Sequence, residues 1–89
     1  MTREELQEQL TQLHDELRQT KAVDAQQREL LRSLESDIQD LLKREANQPH
    51  HYKKLSDRFN EAVAELEASH PQVTLLMRRA IDSLAYLGI

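Results

Sequence analysis

Leu6, Leu10, Leu13 and Leu17 follow one another at spacings of four, three and four, the interval at which an α-helix returns to the same face. At 100° per residue they fall within about 60° of arc, a narrow seam like that of a coiled coil. Such a helix rests on one or two partners and does not sit in the middle of a core. Thr2-Arg3-Glu4-Glu5 precedes the seam and reads as a capping box, so a first helix is expected over roughly residues 3–20. Asp24 with Gln27 forms a second capping box, and Leu30, Leu31, Leu34, Ile38, Leu41 and Leu42 then span about 120°. That wider face predicts a second helix over 25–46 touching two neighbours. The short connection favours an antiparallel hairpin, with one continuous helix as the alternative, since neither Gly nor Pro interrupts it.

Pro49 is the clearest break, because it lacks an amide hydrogen and disfavours helix in Gln48. It either ends the second helix or opens the third. Tyr52, Leu55, Phe59, Ala62, Val63 and Leu66 then mark a third helix over 50–68 with an apolar arc of about 100°. Ser69-His70-Pro71-Gln72 suggests another cap, Ser69 with Gln72, and a sharp corner with almost no loop. The fourth helix, 71–87, is the most apolar: Val73, Leu76, Met77, Ala80, Ile81, Leu84 and Leu87 cover about 140°. Leu75 and Tyr86 stand on the opposite side beside Arg79 and Asp82. Gly88 suits a left-handed position after the helix, with Ile89 folding back toward Leu84, and the chain reads as complete there. The expected fold is therefore all-α: a single domain over 1–89, built as a small bundle of four amphipathic helices. In it a helical hairpin is followed by a helix–corner–helix at Ser69–Pro71.

Composition sharpens this by exclusion. With one Gly, no Cys and 15 Leu among 89 residues, Gly-rich phosphate loops, disulfide frameworks and cysteine zinc sites drop out. Twelve basic against sixteen acidic residues leave no cationic excess, so nucleic-acid binding by counterion release is not expected. The excess acid lies wholly in residues 1–47. No stretch is long and apolar enough to span a bilayer, and no membrane partner is expected. The opening Met1-Thr2-Arg3-Glu4-Glu5-Leu6 lacks the apolar core of a secretory signal, and Thr2 stands where myristoylation needs glycine. The cytoplasm is the expected compartment.

Glu67-Ala68-Ser69-His70-Pro71, the apolar helix after it, and the ending Ile81-Asp82…Leu87-Gly88-Ile89 resemble a family of short bacterial proteins catalogued as domain of unknown function family 4404. Leu10-x-x-Leu13-His14-x-Glu16-Leu17 and Asp37-Ile38 look like the same family, so the likeness covers essentially the whole chain. The Ala68–Pro71 corner with the terminal Gly88-Ile89 is its most specific part. The resemblance implies a bacterial source and an all-helical fold, and it brings no activity, cofactor or catalytic residue to carry over.

Candidate chemistry is sparse. Neighbouring His50 and His51 point about 100° apart on a helix and do not converge on a metal, and His70 is expected to shape the corner before Pro71. Asp24–Arg28, Asp40–Arg44 and Glu61–Arg58 have the spacing of ion pairs within a helix. No nucleophile elbow or acid–base pair is legible, so an enzyme, a catalytic residue and a cofactor are not expected. Two surfaces stand out. Leu75 and Tyr86 break the polar side of the fourth helix and with Arg79 mark a candidate interaction surface: either that helix is covered by the others or its back face meets a second subunit. His50, His51, Lys53, Lys54 and Arg58 form a basic cluster that Arg78 and Arg79 could extend into an anion patch. The expected function is a non-enzymatic interaction or structural module that self-associates, a homo-oligomer and first of all a dimer, with an unidentified protein partner also open. The alternative is a regulatory protein docking an anionic ligand or nucleic acid through residues 50–58.

Overall fold

The first leucine seam forms α1 (Arg3–Gln19), in which Leu6, Leu10, Leu13 and Leu17 are all buried. The computed structural model describes residues 3–87 and contains no strand among them. α2 (Ala25–Lys43) buries Leu31, Leu34, Ile38 and Leu41, with Leu30 and Leu42 packed at the margin. α3 (Pro49–Leu66) buries Tyr52, Leu55, Phe59, Ala62 and Leu66, and α4 (Pro71–Leu87) buries Val73, Met77, Ala80 and Leu84. Val63, Leu76, Ile81 and Leu87 line the edges of the same core. The four apolar faces thus meet in one cluster, because each stripe is removed from water only by facing the other three.

Each helix packs on its neighbours in sequence, and α4 closes the ring against α1. The diagonal pairs α1–α3 and α2–α4 have no close backbone approach. Helices that neighbour each other in the ring run antiparallel: Asp37 meets Arg58 across α2 and α3, and Gln9, early in α1, meets Ser83, late in α4. This is an up-down-up-down four-helix bundle. Its long dimension of 35 Å is one helix plus its turns, since 17–19 residues rise about 26–29 Å.

The breaks are made by side chains. Asp24 is extended (φ −154°, ψ 177°) and its Oδ1 accepts the Gln27 amide at 2.7 Å, which starts α2 afresh and excludes a continuous helix through 20–24. The return bond of the expected capping box lands one residue early, from the Val23 amide to Gln27 Oε1 at 2.9 Å. α2 stops at Lys43 rather than 46: Arg44 is already extended, and the Asn47 side chain donates to the Leu41 carbonyl at 3.0 Å. Asn47 thereby satisfies a carbonyl that a longer helix would have bonded internally. Pro49 opens α3, at a position where its missing amide costs nothing.

At the α3–α4 corner the His70 amide bonds the Leu66 carbonyl at 2.7 Å, and the His70 carbonyl takes the Thr74 amide at 3.2 Å. His70 therefore provides the first carbonyl of α4. The expected cap of Gln72 by Ser69 does not form, because the Ser69 hydroxyl is bonded to the His70 ring and to the Gln27 side chain. The expected capping box of Thr2 and the terminator Gly88 with Ile89 lie outside the described residues.

Candidate functional site

α4 presents its outer face to solvent. Leu75 is 51% exposed and Tyr86 60%, and Arg79 and Asp82 between them are exposed as well. α4 touches α3 and α1 but not α2, so the bundle leaves this face uncovered. Arg78, next in sequence, turns aside to Glu67 at 2.7 Å. Among the described residues, the Arg79 and Asp82 side chains have no ion-pair partner.

Four of the five residues of the expected basic cluster come together. His50, His51, Lys54 and Arg58 line a groove of about 410 Å³ between the first half of α3 and the last turns of α2. Lys53 is exposed and does not line it, and neither do Arg78 and Arg79, which belong to α4. Arg44 joins the cluster from the α2 end, and Asp37 and Asp40 add acid to the same wall. Arg58 pairs with Asp37 at 2.9 Å and also reaches the Ser33 hydroxyl. The expected Glu61–Arg58 pair gives way to this link between helices, because antiparallel packing sets Asp37 opposite Arg58. The Asp24 carboxylate serves the cap, and Arg44, beyond the end of α2, no longer stands one helical turn from Asp40.

The His50 and His51 rings lie closer than their helical spacing suggested, with centroids 4.1 Å apart and planes tilted by 52°. His51 Nδ1 accepts the Gln48 amide at 2.9 Å and so caps α3. Its pKa falls below the ordinary value, first through desolvation of the ring and then through the positive field of Arg44, His50 and Lys54. Among the described residues, His, Asp and Glu do not gather in groups of three or more that could hold a metal ion. No described helix is long and apolar enough to cross a membrane.

A second basic groove escaped the sequence reading. Arg18, Lys21, Arg28 and Arg32 surround about 440 Å³ at the other end of the bundle, with Glu35 the one acid among its lining residues. Arg28 and Arg32 are one turn apart, but only the α1–α2 hairpin brings Arg18 and Lys21 beside them. At the same end His70 Nε2 lies 2.8 Å from the Lys21 carbonyl, and Ser69 Oγ bridges His70 Nδ1 at 2.9 Å to Gln27 Nε2 at 3.0 Å. The corner histidine thus ties two loops together.

A family model described as "Domain of unknown function (DUF4404)" matches residues 6–89. No curated protein and no solved structure matches the chain.

Proposed function

The chain belongs to the DUF4404 family, and from that premise we propose that it is a small, non-enzymatic interaction module of the bacterial cytoplasm that works by associating with itself. One observation carries this: Leu75 and Tyr86, large and apolar, stand in solvent on a helix whose other face already fills the core. Single exposed apolar residues are common, whereas two on one helix face define a surface that gains by being covered. A domain of this size buries a limited share of its surface, so association adds stability that the monomer lacks.

The non-enzymatic part is supported by what the candidate chemical groups are doing. The Thr11, Thr20 and Thr74 hydroxyls bond backbone carbonyls of Gln7, Glu16 and Pro71. Ser83 bonds Gln9, His51 caps α3, and His70 joins two loops. These groups hold the fold.

Light scattering over a range of micromolar concentrations tests the proposal. The expected mass rises with concentration toward twice the 10.4 kDa of one chain, and stays at one chain in Leu75→Glu with unchanged helicity. A monomer at all concentrations, unaltered by that substitution, overturns it.

The anion-docking alternative draws support from the convergence of Arg44, His50, His51, Lys54 and Arg58 on one groove. It predicts salt-sensitive retention on an immobilised polyanion that Lys54→Glu with Arg44→Glu abolishes. Loss on Arg28→Glu with Arg32→Glu instead would assign the binding to the opposite end of the bundle.

A further inference from the structure

We propose that two copies of this chain pair through antiparallel α4 helices, Leu75 of each packing on Tyr86 of the other and Arg79 of each facing Asp82 of the other. This rests on the self-association proposed above and gives it a geometry.

Residues 75, 79, 82 and 86 are spaced four, three and four apart, so at 100° per residue they form one stripe about 60° wide. All four are exposed. The spacing reads the same in both directions, and the chemistry reads apolar, positive, negative, apolar. Turned end over end, the stripe becomes apolar, negative, positive, apolar. An antiparallel copy therefore sets apolar on apolar and each charge on its opposite, about a two-fold axis between residues 80 and 81. A parallel copy sets arginine on arginine and aspartate on aspartate. Charge thus selects the antiparallel, isologous arrangement, the commonest symmetry of homodimers.

Two features of the monomer fit this occupant. Arg78, the neighbouring cation, is drawn away by Glu67 at 2.7 Å, which leaves Arg79 as the outward-facing positive charge of the stripe. Arg79 and Asp82, although three residues apart on one helix, form no ion pair with each other. Both are left for a partner. From Leu75 to Tyr86 the stripe is about 16 Å long, three helical turns. A single stripe of that length makes a short contact, so the proposed dimer is expected to be reversible rather than obligate.

Sedimentation equilibrium on charge variants tests the arrangement. Arg79→Glu and Asp82→Arg, each alone, oppose like charges and weaken the dimer about tenfold, with helicity unchanged because both positions are exposed. The two single variants mixed in equal amounts regain wild-type association, and so does the double variant Arg79→Asp, Asp82→Arg, because each restores opposite charges across the axis. A wild-type protein that stays monomeric overturns the self-association itself. A wild-type dimer indifferent to both single reversals overturns the α4 pairing alone, since another face, or a parallel pairing that already opposes like charges, must then hold it. Single variants that weaken the dimer without rescue in the mixture also overturn it.

Discussion

His51 shows how one side chain can be both a structural part and a source of pH dependence. Its Nδ1 must be bare to accept the Gln48 amide at the start of α3, and its pKa lies below the ordinary 6.5. The unfolded chain therefore takes up its proton first as pH falls, so the folded state binds fewer protons in that window. Stability is full above about pH 6.5 and is lost as pH drops below it. His51→Gln keeps an acceptor for the cap but does not titrate, so its urea midpoint should fall less between pH 7.5 and 5.5 than that of the wild type. Equal slopes would show that His51 is not the source. His70 is bound differently. A carbonyl only accepts, so Nε2 carries the hydrogen toward Lys21, and Nδ1 is left to take the Ser69 hydroxyl. His70→Ala removes two hydrogen bonds and should cost about 1–2 kcal/mol in chemical denaturation, with no loss of helix content.

Each helix has its own start and stop, and the starts rest on single residues. Asp24 holds the Gln27 amide of α2, and replacing it with Ala should cost about 1 kcal/mol of unfolding free energy. The effect should be additive with His51→Gln, because the two caps lie at opposite ends of the bundle. α3 and α4 make the most extensive contact in the ring, and small residues stand on their inner faces: Ala62 on α3, Ala80 and Ser83 on α4. Ala80 is fully buried, so Ala80→Leu should overpack the interface and cost about 1–3 kcal/mol by the same measurement. A neutral result would mean that the helices separate freely to accommodate the larger side chain.

The whole molecule is a closed ring of four helices around a core with Phe59, Leu34, Ile38 and Met77 entirely out of solvent. A chain of this length has about 5–13 kcal/mol of stability, so Phe59→Ala, at about 3–5 kcal/mol, should remove a large part of it. Urea denaturation reads that loss directly. Association adds to the same balance: a dimer that dissociates on unfolding makes the melting temperature rise with protein concentration. Wild-type protein should show that rise between about 5 and 500 μM. Leu75→Glu should melt at one temperature throughout, and a concentration-independent wild type would contradict the dimer.

The four apolar stripes and most of the apolar residues they bury were legible in the chain itself. The separation of α1 from α2 stays open in the sequence until the Asp24 cap decides it, and the burial of Thr74 and Ser83 carries no periodic signal. Helical periodicity and capping are local: Leu6 to Leu17 lie on one face whatever they pack against, Asp24 signals a start from its own chemistry, and Pro49 signals a break that the structure resolves as the start of α3. The end of α2 was less legible, because Asn47 reaches back six residues to Leu41, beyond any helical repeat. The surfaces needed the fold. Arg58 meets Asp37 and not Glu61, Arg44 joins His50 and Lys54 while Lys53 turns away, and Arg18 comes beside Arg28 only when α1 and α2 are antiparallel. Spacing says which residues share a face of one helix. It carries nothing about which faces oppose each other, and that is decided by the packing of four stripes into one core. The same packing left Leu75 and Tyr86 in water, where the sequence had allowed either a covered helix or an exposed one.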